Sequence, residues 1–215
     1  MGLWEYVLSR RDELIIEATQ HASLVAQSMI IATIIGVGVA VLAYHNASVS
    51  RAALTASSVM LTIPSFALLG LLITPLGLGV APTMVALVMY ALLPIVRNAI
   101  VGLLSVDSAI VDSARGMGMS RLSTLTRVEI PLAWPVILTG IRVSTQMIMG
   151  IAAIAAYVAG PGLGNSIFSG LSRFGSANSV NSALAGTLGV ILLALLFDLG
   201  YLLIGRLTTS RGLRV

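Results

Sequence analysis

The sequence predicts an all-α integral membrane protein. Three observations predict this class: only 9% of the residues are charged, the mean hydropathy is +1.01, and five segments are long and apolar enough to cross a bilayer. Soluble domains have about 25% charged residues, so water could not solvate the surface of such a chain. Lipid must therefore surround most of it.

The first twenty residues are predicted to form a separate amphipathic helix. Residues 1–20 mix acidic and basic side chains with apolar ones that recur at roughly helical spacing, which is typical of a helix lying at a membrane interface. The stretch lacks the basic start and unbroken apolar core of a signal peptide. We expect an interfacial helix over 1–20 and one membrane domain over 21–215.

Five crossing helices are predicted, because a crossing needs about 20 largely apolar residues. They cover residues 22–44, 52–73, 80–104, 135–158 and 181–205. If the N-terminus lies outside, seven arginines fall on the inner side and three on the outer side. The inner group is Arg51, Arg115, Arg121, Arg127, Arg206, Arg211 and Arg214, and the outer group is Arg10, Arg11 and Arg173. Basic residues collect on the cytoplasmic side, so we expect the C-terminus in the cytoplasm.

The cytoplasmic loop over residues 105–134 is charged and punctuated by glycine. Asp107 can cap a short helix that ends at Gly116–Gly118, where glycine can adopt left-handed geometry. Ser120 can cap a second helix that runs to Glu129, before Pro131 resets the chain and the fourth span begins. Two short helices around a glycine turn form a compact, exposed element. Docking of a partner and an ordinary loop helix resting on the membrane remain equal alternatives at this point.

The loop resembles the coupling loop of ABC-importer permeases, whose pattern is Glu-Ala-Ala, three residues, Gly, nine residues and Ile-x-Leu-Pro. Asp112-Ser113-Ala114 matches the acidic triplet, Gly118 matches the glycine, and Val128-Glu129-Ile130-Pro131 matches the end. Aspartate for glutamate and serine for the first alanine are departures that conserve charge and size. Residues 62–70, 90–98, 114–120 and 127–142 further resemble permeases of the glycine betaine, carnitine and choline uptake subgroup.

This resemblance implies a five-helix type I ABC-importer transmembrane domain with cytoplasmic coupling helices. It implies an ATPase-docking loop made of Asp112, Ser113, Ala114, Arg115, Gly116, Met117, Gly118, Met119 and Pro131. The implied partners are two cytoplasmic ATPase subunits that bind ATP and Mg, an extracytoplasmic solute-binding protein, and a second permease chain in a homodimer or heterodimer. The chain itself would bind no cofactor and no nucleic acid, and would hydrolyse no ATP.

The implied activity is uptake of quaternary ammonium osmoprotectants across a bacterial plasma (inner) membrane, with glycine betaine, carnitine, choline and proline betaine as examples. Two alternatives remain open. One is an ABC permease for another small solute, such as an amino acid. The other is an ion-coupled secondary transporter, against which a single buried acid and the lack of a visible repeat argue.

Three ionisable residues interrupt the apolar spans: Arg97, Arg142 and Asp198. An arginine near the bilayer centre costs about 2.5–3.5 kcal/mol on insertion scales. Because all three lie at similar depth in the predicted topology, Asp198 could pair with either arginine and help to close an inner gate. The alternative is that each side chain reaches separately to the lipid headgroups.

Lining residues for a transport path are weakly indicated. Pro64 and Pro94 lie inside the second and third predicted spans, where proline bends a helix for function or merely for packing. Phe66 and Tyr90 could line such a path, although core packing explains them equally well. Tyr44 is assigned to the aromatic belt of the membrane interface.

No metal or nucleotide site is predicted in this chain. His21 and His45 flank the first predicted span at opposite ends, so they cannot share a metal ion. Residues 159–165 are glycine-rich, but no Lys-Ser or Lys-Thr follows them, as a phosphate-binding loop would require. We expect a tight turn there.

Overall fold

The computed structural model of the chain describes residues 2–208, and every regular element in that range is helical. Ten α-helices follow one another within these described residues. They are α1 (Leu3–Ser9), α2 (Arg11–Ala43), α3 (Ala47–Thr62), α4 (Ser65–Leu76), α5 (Val80–Leu104), α6 (Ser108–Gly116), α7 (Arg121–Thr124), α8 (Ile130–Ile154), α9 (Gly164–Ser172) and α10 (Ser179–Thr208).

Four helical segments within residues 2–208 are long and apolar enough to cross a membrane. They are Arg11–Ala43, Val80–Leu104, Arg121–Val158 and Ser179–Thr208. Helices α3 and α4 provide a fifth crossing if the two together form one span. Predicted spans three and five therefore coincide with α5 and α10, span one forms the C-terminal part of the longer α2, and spans two and four differ in form. Arg211 and Arg214 of the predicted inner group lie outside the described residues.

The second predicted span is broken where only a kink was expected. Helix α3 ends at Thr62, and α4 starts after Pro64 at an angle of 96° to α3. Ile63 is extended (φ −75°, ψ 124°), because the ring of a following proline disfavours helical backbone at the residue before it. The hydroxyl of Tyr90 on α5 donates to the Ile63 carbonyl at 2.5 Å. This bond satisfies a backbone acceptor that the break exposes.

The N-terminal boundary also differs from the prediction of a separate helix over 1–20. The break lies at Arg10 (φ −117°, ψ 17°), and α2 then runs without interruption for 33 residues. Residues 11–21 contain no glycine or proline to end a helix, so they extend the first span. At 1.5 Å per residue α2 is about 50 Å long, which exceeds the roughly 30 Å hydrocarbon core. Glu17 on this extension accepts a hydrogen bond of 2.6 Å from Ser166 on α9.

Helix α5 forms the centre of the bundle and packs between α2 and α8. Its approach to α8 requires glycine: a Cβ at Gly140 would lie 2.7 Å from the Pro94 carbonyl oxygen. The Ser144 hydroxyl also crosses between these helices and donates to the Ala91 carbonyl at 2.8 Å. The core is aliphatic, and its fully buried side chains include Leu69, Leu87, Ile95, Ile137, Ile148 and Met149.

The fourth span starts earlier than residue 135. The segment Arg121–Val158 is one helical rod: α7, a π-helical stretch over Leu125–Glu129, α8, and a 3-10 turn over Ala155–Val158. Pro131 therefore does not reset the chain, contrary to the prediction. In the π-helical stretch the amide of Ile130 donates to the carbonyl of Leu125, five residues back. Pro131 has no amide hydrogen to donate within the helix. The wider turn just before it adapts the helix to this missing bond, so the helix continues.

Beyond α8 the chain turns as expected for residues 159–165. Ala159 is left-handed (φ 58°), Gly162 has φ 121°, and the Gly160 amide donates to the Ala155 carbonyl. A Cβ at Gly162 would lie 2.8 Å from Nδ1 of His21. His21 is fully buried within α2, with Nε2 at 3.2 Å from the Met149 carbonyl oxygen. Its environment is thus the protein interior under this turn.

Candidate coupling and path-lining sites

The loop between α5 and α8 folds into a compact element, residues 107–129, which we call the knob. Its first helix begins as predicted, because the Asp107 carboxylate accepts a hydrogen bond of 2.9 Å from the Ala109 amide. Its end is also confirmed: Gly118 is left-handed (φ 88°), and the Met119 amide donates to the Ala114 carbonyl at 3.2 Å. This bond pattern is a Schellman C-cap. The direction of the turn is therefore fixed by backbone bonds.

The second helix of the knob, which begins at Arg121, is part of the fourth span. The Ser120 hydroxyl accepts a hydrogen bond of 3.3 Å from the Ser123 amide, as predicted for a helix cap. From Arg121 the helix then continues without a break into α8. A displacement of the knob is therefore a displacement of α8 itself.

Most of the predicted docking residues are on the surface of the knob. Met117 at the tip is 77% exposed, and Ala114 is 3% exposed because it supports the turn from inside. Met119 is half-buried. The exposed members are Asp112, Ser113, Arg115, Gly116, Met117, Gly118 and Pro131. Apart from Ala114 and Met119, the set can reach a partner surface.

Two apolar side chains on the knob were missed by the sequence analysis. Leu122 is 70% exposed and Ile110 is 46% exposed. The helical spacing of Ile110, Ser113 and Met117 places them on one face, and this spacing was the signal available in the sequence. With these residues the knob presents an apolar tip framed by charges.

A groove lies beneath the knob, where it meets the end of α2. Its volume is about 550 Å³, and its lining includes Tyr44, Arg115, Arg121 and Glu129. The Tyr44 hydroxyl donates to the carboxylate of Glu129, and both residues are buried. Tyr44 therefore does not belong to the aromatic belt to which the sequence analysis assigned it. It ties α2 to the root of the knob.

The hydrogen bond from Tyr44 to Glu129 requires a protonated Tyr44 hydroxyl. Burial, together with the hydrogen bond and negative charge of Glu129, raises the pKa of Tyr44 above the ordinary tyrosine value. The hydroxyl therefore stays protonated and keeps donating at neutral pH. Nothing in the local sequence indicated this contact, because the two residues are far apart along the chain.

Within the bundle, Arg142 on α8 and Asp198 on α10 form a bidentate ion pair. Nε lies 2.5 Å from Oδ1 and Nη2 lies 2.7 Å from Oδ2. The Gln146 side-chain amide adds a 3.4 Å contact to Asp198 and donates to the Ala194 carbonyl at 3.2 Å. The structure thus brings together two of the three ionisable residues proposed for an inner gate. A gating role stays a prediction.

Arg97 is not part of this pair. It is exposed on α5, and within residues 2–208 it forms no ion pair. Of the two pairings predicted for Asp198, the structure therefore has the one with Arg142 and not the one with Arg97.

The four path-lining candidates separate into two groups. Pro64 lies at the break between α3 and α4, and the ring of Tyr90, buried at 3% exposure, supports this break instead of lining an open surface. The Pro94 carbonyl accepts a hydrogen bond of 2.8 Å from the Asn98 side chain and lies against Gly140 of α8. Phe66, just after the break, is 46% exposed and stands edge-on to Tyr157 at 5.1 Å and to Phe168 at 6.4 Å. The sequence did not indicate this aromatic cluster.

Comparison with known protein families supplies one match that covers most of the chain. The family described as "Binding-protein-dependent transport system inner membrane component" matches residues 32–210. This range includes the bundle from α2 onward and the whole knob.

Several characterised relatives are similar over nearly their full length. The osmoprotectant import permease protein OsmW of Salmonella typhimurium is 39% identical over 92% of this chain and 93% of its own. The carnitine transport permease protein OpuCB of Listeria monocytogenes is 36% identical over 86% of this chain and 83% of its own. The glycine betaine/carnitine/choline transport system permease protein OpuCB of Bacillus subtilis is 32% identical over 97% and 94%.

Solved structures of the MetNI methionine ABC transporter in inward-facing conformations have the same fold. One aligns with a TM-score of 0.77 at 23% sequence identity, covering 92% of this chain and 96% of that chain. A second aligns with a TM-score of 0.79 at 20% identity. The predicted type I importer fold is confirmed by this similarity.

Proposed function

The chain belongs to the family of binding-protein-dependent transport system inner membrane components, and from this premise we propose that it carries quaternary ammonium osmoprotectants into the cell. It is a multi-pass membrane permease subunit of an ABC importer. The substrates we assign are glycine betaine, carnitine, choline and proline betaine. The support for this class comes from relatives whose names specify such solutes.

The observation that carries the coupling mechanism is the continuity of the knob with α8. An exposed apolar tip, fixed by helix caps at both arms, stands on a rod that crosses the bundle. Such a tip fits a groove on a cytoplasmic ATPase subunit, and closure of the ATPase pair on ATP draws the tips of two permease chains together. The rods then tilt and change which side of the path is open.

The ion pair between Arg142 and Asp198 extends this movement to α10. Because the pair is bidentate and Gln146 braces it, α8 and α10 move as one unit. The tie between Tyr44 and Glu129 gives the root of the knob a fixed contact on α2. In this mechanism the chain itself performs no covalent chemistry; it converts movement at its docking surface into rearrangement of its helices.

We propose the remaining components by analogy with other members of the family. ATP and Mg are bound by two ATPase subunits, and this chain binds no cofactor. A solute-binding protein docks on the outer surface, including residues 161–178, and a second permease chain completes the path. The N-terminus lies outside and the C-terminus in the cytoplasm of a bacterial cell, as the arginine distribution favours.

Reconstitution tests the proposal. The permease is assembled with its ATPase subunits and binding protein in proteoliposomes, and uptake of labelled glycine betaine, carnitine and choline is measured with ATP and with a non-hydrolysable analogue. We expect uptake that needs both ATP and the binding protein. Uptake driven by a sodium or proton gradient without ATP would instead establish an ion-coupled transporter, and uptake of amino acids alone would overturn the substrate class.

A further inference from the structure

Arg97 is the ionisable residue for which the fold provides no explanation. It lies within α5, one of the apolar spans, and its side chain is exposed. Within residues 2–208 no acidic group lies within ion-pairing distance of it. Arg142, by contrast, has a bidentate partner in Asp198. A lone arginine in an apolar span is costly in lipid, so such residues mark water-filled cavities or ligand paths.

The direction of the side chain argues against escape to the lipid headgroups. Side chains on a helix lean toward the N-terminus of that helix. From Arg97 the N-terminal end of α5 at Val80 is about 26 Å away, and the C-terminal end at Leu104 is about 10 Å away. The Cα–Cβ bond of Arg97 therefore points toward the distant end. Reaching the nearer interface would require the side chain to turn against its own geometry.

The acidic residues within the structure offer no counter-ion to Arg97. The chain has eight acidic residues. Four lie within the first 17 residues, Asp107 and Asp112 are exposed in the knob, Glu129 accepts from Tyr44, and Asp198 pairs with Arg142. Within residues 2–208 no acidic side chain therefore neutralises Arg97.

We propose that Arg97 faces the transport path and binds the carboxylate of zwitterionic solutes as they pass. The inference rests on the proposed function, because glycine betaine and carnitine carry a carboxylate whereas choline carries a hydroxyl. A guanidinium offers two parallel N–H donors to a carboxylate, a strong and directional contact that water screens only in part. Arg97 thereby distinguishes two classes of solute within one family of substrates.

Substitution separates this role from a structural one. In the complete reconstituted importer, Arg97→Gln lowers the maximal uptake rate of glycine betaine and carnitine by about tenfold or more, the loss expected for a charge-assisted hydrogen bond. Choline uptake stays near the wild-type rate, and Arg97→Lys restores part of the betaine rate. Arg11→Gln, which removes an exposed arginine at the start of α2, leaves all three rates unchanged. An equal loss for all three solutes, or no loss, would overturn the proposal.

Labelling provides a test that does not depend on uptake. The natural chain has no cysteine, so Arg97→Cys carries the only thiol of the permease. We expect a water-soluble methanethiosulfonate to modify it in the assembled importer, with protection by glycine betaine and none by choline. An ammonium-bearing reagent restores betaine uptake, and a sulfonate-bearing reagent does not.

Absence of labelling, or equal protection by both solutes, would overturn the site. Absence of ATP-dependent uptake in the wild-type importer would overturn the proposed substrate class instead. The two failures are therefore distinguishable, because labelling and protection are read without transport.

Discussion

At the scale of single residues, three polar contacts of this protein each join two parts of the helix bundle. Tyr44 joins α2 to the knob, Tyr90 joins α5 to the break, and Arg142 joins α8 to α10. Tyr44, Tyr90 and Glu129 are buried, so loss of one partner there leaves the other desolvated without a hydrogen bond. Their removal should therefore affect both stability and transport.

Removal of one hydroxyl tests the tie under the knob. Tyr44→Phe leaves the buried Glu129 carboxylate without its donor, so we expect the free energy of unfolding to fall by about 1–3 kcal/mol. Thermal melting of the detergent-solubilised importer measures this loss. Tyr157→Phe, at a ring that is 63% exposed, is the control and should melt like the wild type. Identical melting of both variants would contradict the tie.

The pH dependence of this tie has a defined sign. The folded-state pKa of Tyr44 is raised above the unfolded value of about 10. Its contribution to stability is therefore complete below pH 10 and is lost as the pH rises above that value. The wild type should therefore lose more stability above pH 10 than Tyr44→Phe does. Melting curves of both proteins at successive alkaline pH values measure this difference.

A charge exchange tests the ion pair. We expect Asp198→Asn and Arg142→Gln each to lower the melting temperature and the uptake rate, because each leaves a charge without its partner within a membrane-spanning helix. The double exchange Arg142→Asp with Asp198→Arg should recover part of both losses, since the opposite charges meet again. If the double variant had a melting temperature and an uptake rate no higher than those of the single variants, the pair would not link α8 to α10.

At the scale of elements, the glycines of the knob have different roles although they are two residues apart. Gly118 needs a left-handed backbone (φ 88°), whereas Gly116 is an ordinary helical residue, and a Cβ at either would meet no atom within 4 Å. Steric contact therefore does not distinguish them, and any difference on substitution comes from the backbone alone.

Alanine substitution uses this contrast. Gly118→Ala should lower the free energy of unfolding by about 1–2 kcal/mol, the cost of left-handed geometry for a residue with a Cβ. Gly116→Ala should be neutral or stabilising by up to about 1 kcal/mol, because alanine favours the helix. Melting temperature and ATPase stimulation by the permease would check both. A loss in Gly116→Ala equal to that in Gly118→Ala would contradict the assigned turn.

The sequence predicted the elements that depend on local pattern and missed those that depend on contacts. Apolar runs located the spans, and Asp107, Ser120 and Gly118 located the ends of the knob helices. The size of the bend at Pro64 could not be predicted, because it depends on support from Tyr90 on another helix. The π-helical passage through Pro131 and the contact between Tyr44 and Glu129 likewise arise from packing between distant parts of the chain.

At the scale of the whole molecule, exposed apolar residues at opposite ends should serve different partners. Met117 at the knob is 77% exposed and Phe174 in the loop after α9 is 81% exposed. We expect Met117→Glu to weaken binding to the ATPase by about tenfold or more, as for loss of an interface anchor. Phe174→Glu should leave that binding unchanged.

Binding of the purified ATPase to the permease in nanodiscs measures this prediction. Both side chains are so exposed that neither substitution should disturb the fold, and circular dichroism would verify it. Weaker binding by the Phe174 variant, with normal binding by the Met117 variant, would show that the opposite end of the bundle contacts the ATPase.

The continuity of the rod from Arg121 to Val158 has one more consequence. The rod is 38 residues long, about 57 Å at helical rise, and Gly140, where it lies close against α5, is at its midpoint. A stiff beam resting on a central fulcrum swings its two ends in opposite senses. In the proposed pair of permease chains, a movement that brings the two tips together on one side of the bilayer would therefore move the opposite ends of the rods apart, without a chemical relay between them.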